Sequence, residues 1–442
     1  MKRNKFKDNI FLTVLAVALP TMLEHILSVL MQYVDTAMVG QLGAKATAAV
    51  SMSTTITWLV GSIPVAFGVG TMTLIAQAIG AGEKHRISQV AKLSLIFSIA
   101  VGLVVEAICL ILCPFISGWM GVEAEVAPAA TRYFFWISIP IVFKSINIIM
   151  AAAIRATKDT KTPMYIGILA NILNVVLDYV FIYMFDWGVD GAAYATCISA
   201  IFGGVVMLIG ALRHSEFDFS GKLFDFDKDI LVRMWRLAYP VLLINLASTS
   251  GYIVFAGLVA HMDTVIFAAH SIAVGAEELF YIGGYGFKSA ANTMVGIAYG
   301  EKNHDKYRKI CISSIVATIS VMTISGVLLY IFATPLMTFF TSDRDVIALG
   351  AKVLKMVAFN EPFFGMYIIS EGIYYGLGRT KYPFIVESGG MWLIRILSTY
   401  IGLHYFNQGL VYVWCCMIAD NVIKAIFLMV PVKGLWPKVF KD

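Results

Sequence analysis

The chain runs to 442 residues, 59% of them hydrophobic and 14% charged, against roughly 25% charged in soluble domains. A soluble fold cannot bury that much apolar surface, which leaves an integral membrane protein. The net charge of +5 does not mark a nucleic-acid binder, because the lysines and arginines are gathered into short segments between long apolar ones.

From the N-terminus, Lys2, Arg3, Lys5 and Lys7 precede an apolar run from Ile10 that contains Ala16-Val17-Ala18, an arrangement that imitates a secretory signal and its cleavage site. The run continues to about Val39, too long for a signal core, so it is expected to remain as span 1. Further apolar segments, among them 94–116, 164–185, 190–212, 237–260 and 310–333, each reach the roughly 20 residues that cross a hydrocarbon core about 30 Å thick. Twelve transmembrane helices are expected, an all-α multi-pass membrane protein. With both termini cytoplasmic, the basic residues within 2–7, 84–92, 155–161, 213–236, 302–309, 379–381 and 433–441 fall inside. The opposite loops hold little beyond Lys45, Arg132, Arg344, Lys352 and Lys355, the distribution expected of a plasma (inner) membrane protein. Trp119, Trp136, Trp187 and Trp436 read as interfacial anchors. The six cysteines lie in apolar spans and read as small core residues, with no disulfide and no metal site.

The sequence repeats itself at one fixed spacing. Pro20 matches Pro240 (240 − 20 = 220), Ala48-Ala49-Val50-Ser51 matches Ala268-Ala269-His270-Ser271, Phe67 matches Phe287, Gly80 matches Gly300, and Thr160-Lys161-Thr162-Pro163 matches Thr380-Lys381-Tyr382-Pro383. One ungapped offset held over this length implies two homologous six-helix bundles: an N-lobe over 1–212 and a C-lobe over 231–442. The polar stretch with His214, Glu216, Asp218, Gly221 and Asp225 is the cytoplasmic linker, 213–230. Six spans per half return the chain to the same side, so the repeats are parallel. Transporters built this way place their cavity between the lobes and rock one against the other, which predicts a V-shaped molecule with a central cleft.

An ionisable residue inside a span costs roughly 2.5–3.5 kcal/mol on insertion scales and marks a functional candidate. Glu24, Asp35, Glu106, Lys144 and Asp178 occupy such positions in the N-lobe; Glu277, Glu278, Lys288, Glu361, Glu371, Glu387, Arg395, Asp420 and Lys424 do so in the C-lobe. Asn171, Asn174 and Asp178 share one face of span 5 at spacings of three and four residues. Lipid cannot solvate that stripe, so it faces protein or water. Carboxylate and amide oxygens in a dehydrated pocket suit a proton or a sodium ion; a self-satisfied packing network is the alternative. In the C-lobe, Glu277, Glu278, Glu361, Arg395, Asp420 and Lys424 read as an ion-pair network, with Asp420 and Lys424 one helical turn apart, or as a second ion site. Met22, Met31, Met38, Met52, Met72, Met150, Tyr33, Trp58, Phe67, Tyr252 and Phe287 either line an adaptable cavity for flat organic cations or pack in the core. Gly283-Gly284-Tyr285-Gly286 is no phosphate loop, since no Gly-Lys-Ser/Thr follows; it allows a close helix contact or a break.

The runs Val34-Asp35-Thr36-Ala37-Met38-Val39-Gly40, Lys158-Asp159-Thr160-Lys161-Thr162-Pro163, Asn174-Val175-Val176-Leu177-Asp178 and Gly191-Ala192-Ala193-Tyr194-Ala195-Thr196 resemble the multidrug and toxic compound extrusion (MATE) family, in order and over nearly the whole chain. The resemblance implies a secondary active transporter that exports small organic compounds, cationic or amphipathic, by antiport with protons or sodium. In the DinF-like branch, which the chain resembles more closely, an aspartate late in helix 1, an Asn-x-x-x-Asp pair on helix 5 and a threonine on helix 6 form the N-lobe cation site. Asp35, Asn174, Asp178 and Thr196 stand at those positions. A proline earlier in helix 1, matched by Pro20, is implicated there in helix bending. The family's other branch is matched less well in the C-lobe: its helix 7 glutamate falls near Ser248 and its helix 10 aspartate near Phe364, one turn from Glu361.

No Walker motif is present, which excludes an ATP-driven pump for this chain alone. The seven histidines are scattered, so neither a metal cluster nor an activated nucleophile argues for an enzyme. The alternative in the same superfamily is a flippase of lipids or lipid-linked precursors. The expected partners are small organic substrates and membrane lipids, not nucleic acid, with the chain acting as a monomer. No resident cofactor is expected beyond the coupling ion.

Overall fold

A computed structural model of the chain describes residues 9–220 and 227–435. The basic residues within 2–7, Gly221, Lys222, Asp225, Trp436, Lys438 and Lys441 lie outside the described residues. Regular structure among the described residues is helical throughout.

Among the described residues, twelve helical segments follow one another in chain order. They are α1 (Ile10–Gly40), α2 (Ala44–Ala81), α3 (Lys84–Trp119), α4 (Ala127–Ser138 and, after a break at Pro140, Ile141–Ala156), α5 (Lys161–Asp178, continued by a π-helical stretch Tyr179–Met184) and α6 (Gly188–Leu212). The second half follows as α7 (Lys228–Ala260), α8 (Thr264–Tyr281 and Gly284–Gly300), α9 (His304–Phe340) and α10 (Arg344–Ala358 and Glu361–Gly376). It ends with α11 (Lys381–Gly389, a π-helical stretch Gly390–Ile396, then Leu397–Phe406) and α12 (Leu410–Leu435). Nine of these are long and apolar enough to cross a membrane, and the two arms of α4, bent by 45°, make a tenth. The other two, α10 and α11, are interrupted and carry Glu361, Glu371, Glu387 and Arg395, the polar residues that lower their hydropathy. Protein neighbours, not lipid, solvate these groups, since all four are buried.

The repeat is visible in the backbone. Gly82 (φ 73°) and Lys302 (φ 54°), 220 residues apart, both adopt left-handed turn conformations. So do Lys158 (φ 71°) and Gly378 (φ 74°), at the same separation. A lysine pays a steric cost there that glycine does not, so the shared geometry reflects a common turn and not a common residue. At the Lys158-Asp159-Thr160-Lys161-Thr162-Pro163 turn, Asp159 accepts hydrogen bonds from the Thr162 amide (3.0 Å) and hydroxyl (2.6 Å), which starts α5. The paired spans α5 and α11 each carry a π-helical stretch.

Packing divides the chain into two compact units, Glu24–Leu242 and Met1–Leu23 with Leu243–Asp442. Both boundaries fall inside helices, α1 and α7, three and two residues after the repeat-related Pro20 and Pro240. In the first unit, the early part of α7 packs on α2: Trp235 lies 6.0 Å from Phe67 between ring centroids, and a Cβ on Gly70 would stand 2.9 Å from the Met234 sulfur. The second unit repeats the pattern. The early part of α1 packs on α8, where a Cβ on Gly286 would stand 2.6 Å from the Met22 backbone nitrogen, and Val14, Val17 and Ala18 join Phe287 in one apolar core. The Gly283-Gly284-Tyr285-Gly286 stretch thus serves both expected purposes, a break in α8 and a close helix contact.

Met52, Met72, Met150, Phe67 and Phe287 are core residues, whereas Trp58 and Tyr252 are exposed. Five cysteines are buried as expected; Cys415 is exposed instead. Its neighbour Cys416 takes the inward face of α12, and adjacent helical residues cannot share a face.

Candidate cation site

In the first unit, polar contacts run along α1 from Glu24 to Met38. Glu24 receives both Arg155 contacts, at 2.7 and 2.8 Å, from α4. One turn on, Ser28 accepts from the Asn171 side chain of α5 at 3.1 Å. At the far end Tyr183, in the π-helical stretch of α5, donates to the Met38 carbonyl and lies 3.0 Å from the Gln41 side-chain oxygen. Between these ties, the carboxyl groups of Asp35 and Asp178 come within hydrogen-bonding reach of each other.

That contact joins two acceptors. Asp178 is wholly buried, and neither of its oxygens has a donor; Asp35 Oδ1 has none either. Ionised carboxylates only accept, and a buried polar atom left without a partner costs about 1–3 kcal/mol, more when charged. The arrangement is complete only when a proton or a cation lies between the two groups. Asn174, one turn before Asp178, is part-buried, and its buried amide nitrogen is also unpartnered. Thr196, two turns into α6, stands within hydrogen-bonding reach of Tyr133 on α4, and Tyr133 lies beside both aspartates. The oxygens of Asp35, Asn174, Asp178 and Thr196 fit a sodium ion by donor type and a proton equally. Gly191 lets α6 approach α5 closely: a Cβ there would stand 2.9 Å from the Phe181 backbone in the π-helical stretch.

Tyr133 has no sequence signature; a lone tyrosine in an apolar span gives no reason to pair it with residues 45 or more positions away. The break in α4 is held in similar fashion. Glu106 of α3 accepts from the Val142 amide at 3.2 Å, and Lys144 donates to the Ile137 carbonyl at 3.3 Å. Each charge satisfies a backbone group released by the break, with the sign that the exposed helix end favours.

In the second unit, Asp420 is wholly buried and its Oδ2 accepts from Arg395 Nε at 3.0 Å and Lys424 Nζ at 2.9 Å. Arg395 also reaches Asn421 at 3.2 Å and lies over the rings of Tyr252 and Phe255. Glu277 sits beside Arg395 and faces Glu361, whose Oε2 is unpartnered. Glu278 lies instead beside Tyr281 and Tyr285. Ser248 and Phe364 supply no charge, and Phe364 packs against Tyr281 and Tyr367. A further group not foreseen as part of this network, Lys288 with Glu371 and Glu387, adjoins it.

A bundle of apolar helices around buried ionisable groups is the architecture of a multi-pass membrane transporter. The MatE family model matches the chain twice, over residues 20–180 and 240–401, the two halves of the repeat. The chain belongs to the MATE family. It is 28% identical over 430 residues to the probable multidrug resistance protein NorM of Thermotoga maritima, covering 95% of this chain and 92% of that one. It is 22% identical to the probable multidrug resistance protein YoeA of Bacillus subtilis, over 99% and 96% of the two chains. Among solved structures, an outward-facing multidrug resistance MATE transporter of the MOP superfamily aligns over 100% of both chains with a TM-score of 0.94 and 22% identity. The two-bundle, twelve-helix fold is that of the family.

Proposed function

We propose that the protein exports small organic compounds, cationic or amphipathic, across the plasma membrane in exchange for protons or sodium ions, with both termini cytoplasmic and one chain as the working unit. The observation that carries this reading is the Asp35–Asp178 contact, two facing carboxyl groups with three oxygens lacking donors. The names of the relatives, multidrug resistance proteins, support organic compounds as the cargo.

Exchange follows from the placement of the pair. Asp35 rides on α1 and Asp178 on α5, so cation loading draws α1 toward α5 and unloading leaves two negative charges to repel. Pro20 removes one backbone hydrogen bond from α1, which allows the part before it and the part carrying Asp35 to move separately. A cation shifts such an equilibrium only by binding one arrangement more tightly than the other. Export then requires that the cargo prefer the unloaded arrangement.

The test is transport in liposomes containing the purified protein, with proton or sodium gradients imposed in turn and a panel of organic cations and lipids as cargo. Gradient-driven movement of an organic cation, lost in Asp35→Asn and Asp178→Asn, is the expected result. Lipid movement alone, insensitive to both substitutions, identifies a flippase and refutes the proposal.

A further inference from the structure

The second unit holds more buried negative charge than buried positive charge. Among its described residues, Glu277, Glu361, Glu371, Glu387 and Asp420 are five buried carboxyl groups. The cations that reach them are three, Lys288, Arg395 and Lys424, so with every carboxyl ionised the group would carry an excess of 5 − 3 = 2 negative charges. Asp420 takes Arg395 and Lys424 on one oxygen, which leaves Lys288 to the rest.

Lys288 is committed to Glu371, 2.6 Å away, and the Tyr375 hydroxyl donates to the same carboxylate oxygen. Glu387, on α11, comes within hydrogen-bonding reach of Glu371, yet its Oε1 has no donor and it is only 4% exposed. The helices are brought close enough for this by glycine. A Cβ on Gly372 would stand 2.5 Å from the Lys288 carbonyl oxygen, and one on Gly390 would stand 2.3 Å from Asp420 Oδ1, so α8, α10, α11 and α12 converge around the two glutamates. Tyr285 and Lys288 face the pair from α8, Tyr367 and Tyr375 from α10, and Lys424 from α12.

From this geometry we infer that Glu371 and Glu387 form a second proton site of the protein, in the second unit and independent of Asp35 and Asp178. One proton is shared between the two carboxyl groups, donated by Glu387 and accepted by Glu371, with Lys288 balancing the remaining charge. Burying a second unpaired carboxylate costs several kcal/mol, and the proton removes that cost. Lys288, whose side chain is 20% exposed, is the least buried of the three charged members, Lys288, Glu371 and Glu387. Arg395, Lys424 and Asp420 stay paired beside it and keep the neighbouring charges fixed.

Infrared difference spectroscopy of the purified protein tests this. At neutral pH the wild type should show a carboxylic-acid C=O band that shifts in D2O. In the Asp35→Asn/Asp178→Asn double variant a component of the band should persist, and adding Glu387→Gln to that double variant should remove that component. Melting provides a second readout: alkaline pH should destabilise the wild type by stripping the shared proton, and should destabilise Glu387→Gln far less. Glu371→Gln, used in the same way if Glu387→Gln does not fold, should abolish the same component. A component unchanged by both substitutions overturns the inference. So does a component that sodium removes at constant pH, which would make the site a metal site.

Discussion

Lys424→Met, Arg395→Met and Asp420→Asn form a series whose ranking is fixed by how many charges each leaves unpaired. Asp420→Asn leaves Arg395 and Lys424, 4% and 7% exposed at the side chain, without their shared anion. Breaking a buried pair by removing one partner costs about 3–5 kcal/mol, and here two partners lose the same group, so the upper end applies. Lys424→Met removes one charge-assisted hydrogen bond, worth about 1.5–3 kcal/mol, and leaves Asp420 held by Arg395 at 3.0 Å. Arg395→Met falls between the two, since it also gives up the Asn421 bond and the contacts over Tyr252 and Phe255. Thermal unfolding in detergent, followed by tryptophan fluorescence and size exclusion, reads the order. Melting temperatures should fall in the sequence Lys424→Met, Arg395→Met, Asp420→Asn, each with transport proportional to the folded fraction. If Lys424→Met melts like the wild type and yet stops transport, the network is part of the transport machinery and the reasoning fails.

Gly286→Val should destabilise by about 1–3 kcal/mol through overpacking, because a Cβ there meets the Met22 backbone at 2.6 Å; melting temperature reads this, and an unchanged value would show that α1 is free to move aside. Pro20→Ala restores a backbone donor to α1, and amide exchange at residues 16–20 should slow while transport falls. His214 follows α6 outside the membrane, 3.3 Å from the Thr157 hydroxyl, and burial, opposed by Asp159 and Glu216, lowers its pKa from 6.5. A base with a depressed folded pKa stabilises the fold above its unfolded value, and that contribution is lost as pH falls below about 6.5. Amide exchange over residues 211–217, corrected for intrinsic rates, should therefore rise on acidification in the wild type and not in His214→Gln; equal rises in both would exclude His214 as the cause.

Span count, repeat and the Asn171-Asn174-Asp178 stripe were legible because each is a local pattern: hydropathy over some 20 residues, one offset, one helix face. The meeting of Asp35 with Asp178 was not a local pattern and came from family resemblance; the side-chain ties of Ser28 and Tyr183 to α5 and α1 account for it physically. Tyr133 was illegible because its role depends on where the break at Pro140 directs α4. Glu371, Glu387 and Lys288 were visible as charges inside spans, but nothing in their spacing says that Gly372 and Gly390 draw four helices together around them. The points at which α1 and α7 change unit lie just after Pro20 and Pro240. The sequence marks both prolines but not what packs on either side of them.

Substrate affinity measured against pH, with and without sodium, tests the role of Asp35 and Asp178 most directly. In the wild type, affinity for an organic cation should change as the pair gains or loses its proton or sodium ion. In Asp35→Asn and Asp178→Asn, folded by size exclusion, that dependence should vanish. An equal dependence on pH and sodium in all three proteins would place the coupling site elsewhere and contradict the account.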